Sequence, residues 1–235
     1  MAQKHILIDA CVAAAAFAPR TTRSAHLVRR ASILLQSPST QCQPQFLIPN
    51  FCIGETFAVF EKYRWGASWN DHVKKSHLTP GQFRAARLSF HHAIHNGATL
   101  LQVELNRYHV LCLDLISPIN AAYRIKRNRK SKNKPLKKKS VTPARTYDLL
   151  LVSMGIWLQR QLGHENFVIA TGDARLASVV KRAQSANLGR PIRQHLRDVA
   201  ASLGLMYGPD IYPQVVDLVH TRMKALKSAL PGWAW

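Results

Sequence analysis

Residues 167–177 read FVIATGDARLA, and near the N-terminus residues 5–10 read HILIDA. Each contains a short apolar run, rich in isoleucine, valine or leucine, that reads as a buried strand. Each run is followed by an acid: Asp9 directly after Ile8, and Asp173 at the end of Thr171-Gly172-Asp173. In a parallel sheet the carboxyl ends of the strands share one edge, and open α/β folds place their sites there. The two stretches therefore predict a parallel sheet that carries carboxylates to a common edge.

Outward from these stretches, strand-like and helix-like segments alternate. After the strand at His5–Ile8 come helices over Cys11–Phe17 and Ser24–Gln36. Phe46-Leu47-Ile48 reads as a second strand stopped by Pro49, and Asn50 caps a helix to about Tyr63. A further helix is expected over Gln82–Asn96, then strands at Leu100–Leu105 and Val110–Leu113. Thr142-Pro143 opens an apolar helix to about Leu162, followed by the strand Phe167–Ala170 and helices at Asp173–Ala183 and Arg193–Leu203. Pro213–Leu218 and Val219–Leu230 read as a last strand and a last helix. Strands separated by helices predict an α/β fold whose central, mainly parallel sheet is flanked by helices.

The chain has 235 residues, 47% of them apolar, which suffices for a packed core. Its 33 Lys+Arg against 12 Asp+Glu give a formal charge of +21. Such an imbalance points to a polyanionic partner and speaks against cationic substrates. The cysteines Cys11, Cys42, Cys52 and Cys112 form no CxxC pair, so neither a zinc ribbon nor a disulfide framework is expected, and a reducing cytoplasm is the default. Lys4, the apolar stretch Ile6–Ala18 and Ala16-Phe17-Ala18 imitate a secretory signal, but Asp9 interrupts the apolar region where a charge is costly. No run approaches the ~20 apolar residues of a membrane span.

With so few acids, their placement is informative. Besides Asp9 and Asp173, Glu55 falls within the apolar stretch Phe51–Phe60, and Asp148 stands before Leu149-Leu150-Leu151-Val152 at the mouth of a buried helix. Each has an ordinary structural explanation: a surface turn for Asp9, a helix cap for Asp173, a helix dipole for Asp148, a pair with Lys62 or Arg64 for Glu55. Their joint placement beside strand ends and in apolar elements is what the separate explanations leave unaccounted for.

The stretches ILIDA, PNFCIGETF, RTYDLLLVSMG and ATGDARLA, in this order, resemble the PIN-domain family of metal-dependent nucleases, which includes the toxins of VapBC-type toxin–antitoxin pairs. The resemblance implies a PIN-like three-layer fold over residues 1–220, with a helical insertion at about 66–106, a basic loop at 124–141 and a C-terminal helix or tail at 221–235. It also implies that Asp9, Glu55, Asp148 and Asp173 form an acidic quartet that binds Mg²⁺ or Mn²⁺ and hydrolyses RNA, with Thr171 in support. An acidic antitoxin protein and a homodimer are the partners it implies. The alternative is a PIN-like module that holds RNA without turnover. At position 11 this sequence has Cys11, where the family often has Ser, Thr or Asn. The physics agrees with the resemblance: clustered carboxylates raise one another's pKa, and a hard divalent cation with oxygen ligands relieves their repulsion.

The composition changes abruptly between Arg124 and Lys139. Arg124, Lys126, Arg127, Arg129, Lys130, Lys132, Lys134, Lys137, Lys138 and Lys139 occupy ten of sixteen positions, with no acid among them. Such a run repels itself, reads as a solvated loop, and is expected to contact nucleic-acid phosphates. An anionic membrane is a less apt target, because no amphipathic anchor helix accompanies the run. The HHxxH of His91, His92 and His95 lacks the Glu of a zinc helix and reads as a solvated or RNA-facing helix surface. Asp114 is a candidate fifth acid by position alone. Neither GxGxxG nor GxxxxGK[ST] occurs, so no dinucleotide or P-loop site is expected.

Overall fold

The computed structural model describes residues 3–18, 25–36, 44–65, 78–95, 99–122, 144–185, 188–231, 233 and 235. Five strands form one parallel sheet: β1 (His5–Ile8), β2 (Gln45–Pro49), β3 (Leu101–Val103), β4 (Phe167–Thr171) and β5 (Gln214–Asp217). The spatial order is β3-β2-β1-β4-β5. His5 pairs with Gln45 and Leu7 with Leu47 in the β1–β2 ladder, and Leu47 pairs with Leu101 in the β2–β3 ladder. The Asp9 amide donates to the Ala170 carbonyl at 3.1 Å, and the Leu218 amide to the Thr171 carbonyl at 2.7 Å, tying β4 between β1 and β5. The α/β class and the parallel sheet expected from the sequence are present.

Two compact units make up the chain: Met1–Glu104 with Val168–Asp173 and Val216–Trp235, and Leu105–Phe167 with Ala174–Val215. The first unit holds β1, β2, β3 and the carboxyl-terminal parts of β4 and β5. Ile6, Leu7, Ile8 and Ile48 are fully buried, as continuous apolar runs in a parallel sheet require. Helix α1 (Ala10–Phe17) is buried at Val12, Ala13, Ala14 and Ala15, and its small side chains admit close packing of α2 (Ala25–Gln36) and α3 (Asn50–Trp65). An aromatic cluster joins α1, α3 and α4 (Pro80–His95): Phe90 lies 5.3 Å from Phe17 and 5.1 Å from Phe57 between ring centroids. The closing helix Met223–Ala229 and Trp233 also belong here, and the Trp233 indole donates to the Leu34 carbonyl at 2.9 Å.

The second unit is built on the helix Thr146–Leu162, buried from Leu151 to Ile156. Three of the unit's buried polar side chains reach backbone carbonyls. Ser153 donates to the His109 carbonyl, Gln159 donates to the Asp210 and Ile211 carbonyls, and the Tyr212 hydroxyl donates to the Leu115 carbonyl at 3.0 Å. The helix stops at Gly163, whose φ of 88° suits glycine.

One expected strand is a helix. Val110–Leu113 falls in the helix Arg107–Leu111 and the 3₁₀ turn Cys112–Leu115. The cause is local: the Asn106 side chain accepts from the Tyr108 and His109 amides, while His109 Nδ1 accepts from the Asn106 amide at 3.1 Å. This reciprocal cap starts a helix that a short apolar run alone does not announce. The C-terminal segment also begins later than expected, with a turn at 218–222 preceding the last helix. Residues 66–77 of the expected insertion, the helix start at Thr142-Pro143 and the whole basic run Arg124–Lys139 lie outside the described residues.

Candidate active site

The chain leaves β1 toward β2 and β3 on one side, while β4 and β5 lie on the other. The boundary between β1 and β4 is therefore the sheet's switch point, and at the carboxyl ends of strands such a point opens a crevice for ligands. Asp9 follows β1 there, and Thr171-Gly172-Asp173 closes β4.

Four hydrogen bonds converge at this point. The Thr171 hydroxyl donates to Asp9 Oδ2 at 2.6 Å, and the Cys11 thiol donates to the same oxygen at 2.9 Å. The Gly172 amide donates to Cys11 Sγ at 3.0 Å, and the Asp173 amide donates to Thr171 Oγ1 at 2.9 Å. The turn after β4 thus orients both donors that hold the β1 carboxylate. Gly172 fits because a Cβ would meet Leu27 methyls at 2.8 and 2.9 Å and Cys11 Sγ at 3.3 Å.

The electrostatics follow from this packing. Asp9 keeps a partly exposed face, yet the surrounding protein removes enough water to raise its carboxyl pKa. The Cys11 and Thr171 hydrogen bonds oppose the rise, and the charge of Asp173 adds to it. Burial and the adjacent carboxylate push the Cys11 thiol well above its ordinary range, so at neutral pH it remains a proton donor.

The other acids are placed differently. Glu55 occupies an exposed position on α3. Asp148 belongs to the second unit, where its Oδ2 accepts from the Arg145 amide at 2.7 Å, capping the helix that follows. Asp114 is exposed and faces His195 Nε2 at 3.3 Å in that same unit. His91, His92 and His95 are exposed on α4, as a solvated face requires. Among the described residues no group of three or more His, Cys, Asp or Glu is placed to hold a metal ion.

The donor chemistry of the Asp9–Thr171–Asp173 group still suits a hard cation: two carboxylates and a hydroxyl, all oxygen. Mg²⁺ commonly keeps several waters and takes only one or two carboxylates from the protein. Sequence reasoning passed over Asp217, a third acid at this edge of the sheet, and the donor role of Cys11. The signal for Asp217 was its position in VVDL, an acid closing an apolar run. No known family model matches the chain, and no curated protein matches it.

Proposed function

We propose that the chain is a Mg²⁺- or Mn²⁺-dependent endoribonuclease whose Asp9 and Asp173 hold the cation, with Thr171 fixing the orientation of Asp9. The observation that carries this reading is the meeting of Asp9 and Asp173 around Thr171 at the switch point between β1 and β4. Bound there, the cation would supply an acidified water and charge stabilisation for the phosphate under attack. The protein's own part is to hold Asp9 in one rotamer through Thr171 and Cys11 and to keep the two carboxylates adjacent.

The formal charge of +21 supports a polyanionic substrate, and RNA follows from the PIN resemblance. The quartet's other members, Glu55 and Asp148, enter the proposal through that resemblance, as do an acidic antitoxin, a homodimer and a cytoplasmic location. Among the described residues no helix is long and apolar enough to cross a membrane.

The test is cleavage of RNA by the purified protein with Mg²⁺, with Mn²⁺ and with chelator. Metal-dependent cleavage that Asp9→Asn and Asp173→Asn abolish is the expected result. Mn²⁺ should also raise the melting temperature of wild type but not of the double variant, because a ligand bound only by the folded state stabilises it. A second reading, RNA binding without turnover, is favoured by one observation: Glu55 is exposed and the Asp148 carboxyl caps its own helix. Salt-sensitive RNA binding with no cleavage under either metal would select it.

A further inference from the structure

We propose that a cavity in the second unit, between Arg193, Arg197 and Tyr207, binds the phosphate of a nucleotide. The cavity has a volume of about 270 Å³ and is lined by Gln184, Ser185, Leu188, Arg193, Arg197 and Tyr207 among others. Among the described residues no acid lines it. Arg193 and Arg197 are one turn apart on the helix Arg190–Ser202, so their guanidinium groups share a face.

Neither arginine has a carboxylate partner among the described residues. The one acid of their helix, Asp198, accepts from the Gln194 amide group at 2.9 Å instead. Two like charges held side by side over a concave surface repel each other, and an oxyanion bound between them relieves the repulsion through charge-assisted hydrogen bonds. Tyr207 contributes a half-buried ring, with both guanidinium groups near enough to act on its hydroxyl. Burial outweighs them and pushes that hydroxyl above its ordinary pKa, so it stays protonated and donates. The phosphate would therefore meet two guanidinium forks and a phenol, all donors.

The remaining space argues for more than a bare ion. A phosphate fills only part of the cavity, and Leu188 and the Tyr207 ring are among its lining residues, apolar surface of the kind on which sugars and bases rest. The geometry is confined to the second unit and does not use Asp9 or Asp173. It stands whether or not the acid pair supports hydrolysis.

The experiment titrates the full chain with 5′-AMP, adenosine and inorganic phosphate by calorimetry, at low salt and with chelator so that no metal bridges the ligand. The 5′-AMP should bind, with adenosine and inorganic phosphate each weaker by about tenfold or more, since each lacks one half of the recognised group. The double variant Arg193→Gln/Arg197→Gln should weaken 5′-AMP by about tenfold or more without shifting the melting temperature, because both side chains are exposed. Tyr207→Phe, which keeps the ring, should weaken it by a smaller factor. If the double variant does not fold, Arg197→Lys takes its place: it keeps the charge, loses the fork, and should still weaken binding several-fold by the same reasoning. Unchanged affinity in these variants would overturn the proposal. So would adenosine binding as well as 5′-AMP, or inorganic phosphate doing so, which would make the cavity a site for a free oxyanion only.

Discussion

Asp9 and Asp217 stand at the carboxyl ends of β1 and β5, on either side of β4, yet the protein uses them in opposite ways. Asp217 is only 6% exposed. Its Oδ1 accepts from the Val219 and His220 amides at 2.8 and 3.1 Å, and its Oδ2 meets His220 Nδ1 at 2.8 Å. Backbone donors fixed by the turn saturate it, and the same segment is pinned by Arg30, which donates to the Leu218 carbonyl at 2.7 Å and the Thr221 carbonyl at 3.1 Å. Asp9 accepts from a neutral hydroxyl, a neutral thiol and the Cys11 backbone, yet it faces a second carboxylate and burial still raises its pKa. A strand-end acid is a building part when fixed donors consume its charge. It is a candidate ligand when its charge is left poorly compensated.

The largest effect that would break this contrast is catalytic. Asp9→Asn should lower metal-dependent RNA cleavage by at least about 100-fold, beyond the 10–100-fold typical of losing an outer-shell partner, whereas Asp217→Asn should leave the residual activity of the folded fraction near wild type. Equal losses in the two variants, measured as kcat/KM, would erase the distinction. The next effect is on stability and runs the other way. Asp217→Ala removes the carboxylate that two part-buried amides of the turn donate to and should cost about 1 kcal/mol in a urea titration, the usual net worth of a hydrogen bond. A cost as large for Asp9→Asn would place Asp9 among the structural acids.

A smaller effect comes from titration. Burial raises the Asp9 pKa above 3.8, so the native state holds that proton more tightly than the unfolded chain does. The stabilisation this provides is fully present below the unfolded carboxylate pKa and is lost as pH rises through the raised native value. Asp9→Asn has no proton to lose. In chelator, its melting temperature relative to wild type should climb across that window and then level off. A difference that stays constant with pH would mean that the Asp9 carboxyl is not held at a raised pKa.

The strands at the centre of the sheet were legible because parallel strands buried on both faces are written as unbroken apolar runs, as in Ile6-Leu7-Ile8 and Phe167–Ala170. Asp9 and Asp173 were legible for the same reason, since Asp9 directly follows such a run and Asp173 comes two residues beyond the other, after Thr171-Gly172. The position of β4 beside β1 was not, because strand order depends on long-range packing. The helix at Arg107–Leu111 was hidden too, although Asn106 and His109 carried its start signal at the spacing of a capping box. Glu55 and Asp148 resemble site residues in their local sequence. Local sequence fixes neither the exposed position of Glu55 on α3 nor the bond that the Asp148 carboxyl takes from the Arg145 amide.

The subtlest difference between the two strand ends lies in the thiol that only Asp9 has beside it. Cys11 is raised by burial first, then by the Asp9 charge, then by its own hydrogen bond to that carboxylate. Alkylation requires the thiolate, so Cys11 should react with iodoacetamide at pH 8 more slowly than a free cysteine. Asp9→Asn removes the charge and leaves the burial in place. Alkylation of Cys11, followed by peptide mass spectrometry, should therefore quicken in that variant and still lag behind a free thiol. Asp217→Asn changes nothing that touches Cys11 and should leave the rate as it was. Cys11→Ser keeps a donor to Asp9 Oδ2 and should cost only a few-fold in activity, while Cys11→Ala should cost about tenfold, the lower end of outer-shell losses. If the serine and alanine variants are equally active, the thiol is packing beside the acid and not a hydrogen-bond donor that positions it.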